Sequence, residues 1–263
     1  MSYDLGLQLA RIPLETAIPL FVAVGLLLSL IGIWLVNSIF TPFQLEPNNL
    51  VGGVKFGFLG EVYAVTLGLA LIGAFDIYTT AQTNVQREAA TLVSLERATS
   101  AYDKPGQTEE RVAMLRTIKA YARAVVEKEW RVMSYGVADH EVSLRLTDMT
   151  EAFLKVEPIT ASQQALQQNT VEWVRQINEY RSFRLTTVSR SLIALVWLVL
   201  ITGTLTAIVF PLFFGTVNIV AQAIMSGLLV SFLVLHLLTV LQLSYPFVGD
   251  TSVSPAAFLE VAQ

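Results

Sequence analysis

The chain has 263 residues, of which 54% are hydrophobic and 14% charged, with a formal net charge of −4 and no cysteine. An ordinary soluble domain carries roughly 25% charged residues, so lipid is expected to be part of the solvent, and the mild acidity gives no basis for nucleic-acid binding. Without cysteine there is no disulfide framework, thiolate catalysis or Cys-based metal site.

Charge is distributed very unevenly. No Asp, Glu, Lys or Arg lies between Glu15 and Glu46, nor between Arg190 and Asp250. Both gaps exceed the roughly 20 apolar residues that cross a bilayer, and the second leaves room for two crossings. The first span is read as Ile18 to Phe40, about 34 Å of helix. It is too long for the apolar part of a cleaved signal peptide. The second, Val54 to Ile77, contains Glu61 and ends beside Asp76. The third and fourth, Ser191 to Phe214 and Val217 to Leu241, are separated by a tight turn at Gly215-Thr216 and should pair antiparallel.

Helical periodicity continues from the second span to about Tyr102 and stops at Lys104-Pro105-Gly106. Thr108 is positioned to cap the next helix, with apolar steps at Val112, Leu115, Ile118, Ala122 and Val125. A shorter helix is expected from Asp139 to Leu154. Thr160-Ala-Ser-Gln163 then has capping-box form and opens a long helix that could continue unbroken into the third span. No strand-like alternation survives. The expected fold is therefore an all-α membrane protein: transmembrane helices 1 and 2 in residues 1–77, a helical cytoplasmic domain in 78–190, transmembrane helices 3 and 4 in 191–241, and a cytoplasmic C-terminal tail in 242–263.

Orientation follows from the basic residues. Of the 17 Lys and Arg, all but Arg11 and Lys55 lie between Tyr78 and Arg190, and Arg87, Arg181, Arg184 and Arg190 stand near the ends of spans. The positive-inside rule puts that segment, and both termini, on the cytoplasmic side of the cell (inner) membrane.

The second span carries the sharpest pattern. At 100° per residue Glu61, Val65, Gly68, Ile72 and Asp76 fall within about 60° of one line. Copies of such a face around an axis would make two acidic rings and an apolar constriction, a device for passing inorganic cations. The competing reading keeps Glu61 protonated or hydrogen-bonded to a neighbouring helix and Asp76 in the interface. Small residues recur at four-residue steps in the last spans, Gly203 and Ala207 in one and Ala223, Gly227 and Ser231 in the other, and suit close helix packing within or between subunits.

Catalytic signatures are lacking. His140-Glu141 has no second histidine at metalloprotease spacing, the glycines at 52, 53, 57 and 60 make no nucleotide fingerprint, and His236 is alone in its span. His236 reads as a satisfied interior histidine or, alternatively, a proton relay. No enzyme, cofactor or metal site is expected.

Three stretches carry a resemblance: Gln86-Arg87-Glu88-Ala89-Ala90-Thr91-Leu92; Tyr121 through Glu129-Trp130; and Tyr245-Pro246-Phe247-Val248-Gly249 followed by Val253-Ser254-Pro255. In order and spacing the chain resembles the bestrophin-like family of bacterial membrane proteins, and more distantly the bestrophin channels. The resemblance implies four spans, cytosolic termini, a homo-oligomer, pentameric by analogy, and a pore lined by the second span. It marks Arg87, Glu88, Tyr121, Glu129, Trp130, Pro246, Phe247 and Gly249 as family positions. Ser244 and Ala257 depart from the pattern, and only Asp250 and Glu260 follow the last span, so a calcium clasp is not implied. The alternative function is a non-conducting membrane subunit whose cytoplasmic helices bind a protein partner, with Trp130, Tyr135 and Trp173 as candidate contacts.

Overall fold

The structure, a computed structural model, describes residues 3–188 and 191–263, with side chains from residue 5 onward. Among the described residues all regular structure is helical. Two compact units emerge, one of residues 1–77 with 191–251 and one of 78–190 with 252–263.

In the first unit, α1 (Tyr3–Ala10) precedes α2 (Leu14–Ile39), and the short α3 (Pro42–Leu45) leads through a 3-10 turn into α4 (Asn49–Thr99). After 191–193 come α9 (Ala194–Val209), a 3-10 turn at Phe210–Phe213, and α10 (Ile219–Ser244). Among the described residues, four helical stretches are long and apolar enough to cross a bilayer: α2, the stretch containing α4, α9 with its 3-10 extension, and α10. With no water in the hydrocarbon, packing among them rests on close backbone approach. α10 packs most extensively on α2. There, Gly25 lies against Val230 and Gly227 against Leu26, while Gly32 of α2 meets Leu212 of the 3-10 turn.

α4 turns Tyr63, Leu67, Ala70 and Ala74 inward to a core shared with Trp197, Leu200 and Leu233. Tyr63 lies over Gly203, where a Cβ would overlap the ring, and its hydroxyl donates to the Leu200 carbonyl at 3.2 Å. Asn49 fastens the start of α4 to the turn before α10, accepting from the Gly215 N–H at 2.9 Å and donating to the Gly215 carbonyl at 2.7 Å. The Asp250 carboxylate accepts from the Leu14 N–H at 2.7 Å, an anion at the N-terminus of the first span.

The second unit holds the remainder of α4 with α5 (Thr108–Ala124), a wide π-turn (Val125–Glu129), α6 (Trp130–Met133), α7 (His140–Lys155), α8 (Ala161–Thr187) and α11 (Ala256–Ala262). α7 is capped by Asp139, which accepts from the Glu141 and Val142 N–H groups, and α8 by Thr160, which accepts from the Gln163 N–H at 3.2 Å. The α11 residues Phe258 and Val261 are buried in this unit, and Arg123 donates to the Ala262 carbonyl at 2.9 Å.

Three sequence expectations need correction. α8 does not continue into the third span: it ends at Thr187, and Ile193 takes an extended conformation (φ −55°, ψ 140°) before α9 begins at Ala194. The intervening sequence carries no Gly or Pro, but Thr186, Thr187, Val188, Ser189 and Ser191 are all mediocre helix formers whose local costs add. Gln107, not Thr108, occupies the cap position of α5. Val112 is 47% exposed, because the inward face of α5 is Met114, Ile118, Tyr121, Ala122 and Ala124.

Candidate functional site

The line of residues expected to face a pore is uncovered in the single chain. Glu61, Val65, Gly68, Ile72 and Asp76 are all exposed, on the side of α4 opposite Tyr63, Leu67, Ala70 and Ala74. Val65 and Ile72 are 64% and 66% exposed, so no helix of the same unit shields the apolar middle of this face. A Cβ added at Gly53, Gly57, Gly60 or Gly68 would meet nothing within 4 Å. Packing within the unit therefore gives no reason for four glycines along one helix.

The small residues of the last two spans do have work inside the unit. Gly203 admits the Tyr63 ring, Ala207 is buried in the same core, Ala223 packs beside Ile33, Val36 and Leu212, and Gly227 meets Leu26. Ser231 donates back to the Gly227 carbonyl at 2.8 Å. His236 is half-buried, with Nδ1 2.9 Å from the Phe232 carbonyl and its ring against the Phe232 ring.

In the second unit, four of the positions marked by the resemblance, Glu88, Tyr121, Glu129 and Trp130, meet at a buried group of charges. Glu88, on α4, accepts from Arg184 Nε at 2.9 Å and Nη2 at 3.1 Å, and from the Tyr121 hydroxyl at 2.7 Å. Glu129, turned inward by the π-turn, accepts from Arg184 Nη2 at 2.8 Å and from Arg181 Nε at 3.1 Å. Arg181 also donates to the Asp139 carbonyl and, at 3.0 Å, to the Ser143 hydroxyl. Glu88, Glu129, Tyr121 and Arg184 are fully buried. Two carboxylates meet two guanidiniums, so the enclosed group is formally neutral, as burial of charge requires. Trp130 and Phe258 flank the Arg184 guanidinium, with ring centres 5.4 and 5.7 Å away. Arg87, next to Glu88 in sequence, points outward and is exposed.

The electrostatics follow from this enclosure. Burial, with Glu88 beside it, pushes the Tyr121 hydroxyl well above its ordinary pKa of 10.0 and keeps it a neutral donor. For Arg184 burial acts against the charge, but Glu88 and Glu129 outweigh it and the guanidinium is held more firmly protonated than usual. A fixed donor opposite a fixed acceptor has no proton to transfer, and no reaction is suggested by the group. Among the described residues no cluster of three or more His, Asp or Glu could hold a metal ion.

Sequence reading missed the arginines. Arg181 and Arg184 stand near a span end but are committed to Glu129 and Glu88, so they do not belong among the solvated charges that argue for orientation. Trp130 is committed likewise, edge-on to Phe258, and Trp173 is half-buried; Tyr135 alone of the three proposed aromatic contacts is exposed, at 66%. Pro246 and Phe247 are buried in the turn after α10, and Gly249 there has φ +77°, which favours glycine. A Cβ on Gly249 would overlap the Ala10 carbonyl oxygen.

A comparison with curated proteins gives no match. Among solved structures, a single-substitution variant of a bacterial bestrophin homolog from Klebsiella pneumoniae aligns with a TM-score of 0.70 at 12% identity, over 92% of this chain and 96% of that one. A second variant of a Klebsiella pneumoniae homolog gives 0.70 at 11% identity, over 92% and 94%. A crystal structure of a membrane protein variant gives 0.67 at 12% identity, over 94% and 96%. At these identities the likeness is one of fold. The sequence itself matches the model of the bestrophin-like domain over residues 23–258, nearly the whole chain. With four apolar helices and the family's pattern running through both compact units, the chain belongs to the bestrophin-like family.

Proposed function

We propose that the protein is a subunit of a homo-oligomeric ion channel in which α4 lines the pore and cations are preferred. The supporting observation is the uncovered face of α4. Glu61 lies within an apolar span yet is exposed in the protomer, and a carboxylate facing hydrocarbon costs several kcal/mol unless water or another subunit receives it. A water-filled axis receives both Glu61 and Asp76. Gly53, Gly57, Gly60 and Gly68, unexplained within one copy, then allow neighbouring copies of α4 to approach. Membership of the bestrophin-like family supports the channel-like role, and five copies is the working number taken from the resemblance to bestrophin channels.

In reconstituted bilayers, wild-type protein should carry a cation-preferring current. Glu61→Gln keeps the shape but removes the charge and should move the reversal potential in a salt gradient toward zero. Ile72→Ala should raise conductance without changing the oligomer's mass. Silence of both wild type and Ile72→Ala under varied voltage, pH and calcium would instead leave a non-conducting subunit whose second unit binds a protein partner. Dissociation of the oligomer by Glu61→Gln would place the carboxylate in the subunit interface.

The proposed orientation has the second unit and both termini in the cytoplasm of a cell with the protein in its inner membrane. Arg87 and the other exposed basic residues of the second unit carry that argument once Arg181 and Arg184 are set aside. Single cysteines at the exposed positions Asn48, Glu110 and Glu260 test it. An impermeant maleimide should label intact cells at Asn48 only, and labelling at Glu110 would reverse the orientation.

A further inference from the structure

At the end of the first unit formed by the starts of α4 and α10, a cavity of about 610 Å³ is lined by Phe56, Phe214, Met225, Gln222, Ser226 and Asn49 among others. Its size lies within the roughly 300–1,000 Å³ of small-molecule sites. Among the described residues no Asp, Glu, Lys, Arg or His lines it.

Two of its polar side chains are unaccounted for. Gln222 and Ser226 sit one turn apart on α10 and are only 6% and 8% exposed. Neither side chain has a hydrogen-bond partner among the described residues. Asn49, by contrast, is committed at both ends of its amide to Gly215. A glutamine amide offers two donors and an acceptor; those of Gln222 remain accessible from the cavity, and an occupant that covered them without pairing them would cost several kcal/mol. The opposite wall is aromatic and braced: Phe56 stacks on Phe210 at 5.7 Å and meets Phe214 edge-on at 6.0 Å.

We propose that this cavity binds a neutral aromatic small molecule bearing a carbonyl or hydroxyl oxygen, with the oxygen on Gln222 and Ser226 and the ring system against Phe56 and Phe214. The absence of charged lining residues selects against ions. Water alone would pair the amide but wet the phenylalanines and Met225. An alkyl chain would cover the rings and leave the amide unpaired. An aromatic ketone, quinone or phenol meets both demands. The site is separate from the uncovered face of α4, and its test does not depend on conduction.

Benzophenone is a suitable probe: it is neutral and aromatic, and its excited carbonyl abstracts hydrogen from a nearby C–H bond before the two radicals join to form a tertiary alcohol. Irradiated with the full-length oligomer in nanodiscs, it should give a saturable adduct that maps to Met225 or Leu229, both of which line the cavity. Fluorenone should compete at least about tenfold better than fluorene, the same ring system without the oxygen, corresponding to roughly 1.4 kcal/mol for the hydrogen bonds. The double substitution Gln222→Leu and Ser226→Ala should abolish that preference without lowering the melting temperature, since an unpaired amide is exchanged for an apolar group of similar size. Equal competition by fluorene on the wild-type protein would overturn the proposal even if the double variant failed to fold. Non-saturable labelling spread over lipid-facing residues would also overturn it, as would labelling of dissociated subunits but not of the oligomer, which would mean that a second copy fills the cavity.

Discussion

Replacing Arg184 with methionine should destabilise the second unit by about 3–5 kcal/mol, the usual consequence of removing one partner from a buried ion pair. The guanidinium is fully buried and serves Glu88 and Glu129 together. Methionine fills much of its volume, so the loss would come from the carboxylates rather than from a void. Glu129 keeps Arg181, but Glu88 would retain only the Tyr121 hydroxyl. Denaturant titration followed by fluorescence reads the change directly, since Trp130 lies against Arg184. Adding Glu88→Leu should recover a large part of the loss, because the double variant no longer buries an unmatched charge. Arg175→Met is the control. Arg175 bridges Glu172 and Glu179 and, chiefly through its hydrogen bonds, holds the Glu172 carboxyl down at about 2. All three side chains are well exposed, so solvent screens the pairs and the transition should hardly move. If Arg184→Met behaved like Arg175→Met, the enclosed charges would contribute little to the stability of the unit.

This contrast explains what could be read from the sequence. The spans were legible because hydrocarbon excludes charge over whole segments, and the gaps from Glu15 to Glu46 and from Arg190 to Asp250 need no knowledge of partners. The line from Glu61 to Asp76 was legible because helix geometry alone places it on one face. Arg184 was not, because Glu88 lies 96 residues away and Glu129 lies 55 away, and nothing local distinguishes a buried arginine from a solvated one near a span end. The resemblance marked Glu88, Tyr121, Glu129 and Trp130 as positions that matter without saying that they meet. The interruption after Thr187 was hidden because it is built from weak helix formers rather than from Gly or Pro. Gln222 escaped notice for another reason: a glutamine in a span is commonplace, and its cavity is completed by Phe56 and Phe214 from other segments.

The turn after the last span yields the second large effect, since Gly249→Ala should destabilise the first unit by about 2–4 kcal/mol. Two costs combine there. With φ +77° any L side chain is strained, roughly 1–2 kcal/mol for alanine. The added Cβ would also overlap the Ala10 carbonyl oxygen and crowd the Gln242 amide, which donates to that same carbonyl at 3.2 Å. Moving the turn to relieve the overlap would break this bond between α10 and the end of α1, and would pull Asp250 away from the N-terminus of α2. Gly106 and Gly136 separate the two costs. Both have positive φ, +93° and +75°, but a Cβ at either would meet nothing within 4 Å. Alanine at those positions should cost only the backbone strain, so Gly249→Ala should lower the melting temperature in detergent clearly more than Gly106→Ala or Gly136→Ala. Equal shifts for all three would mean that the turn yields to the methyl group and that backbone strain alone selects glycine at 249.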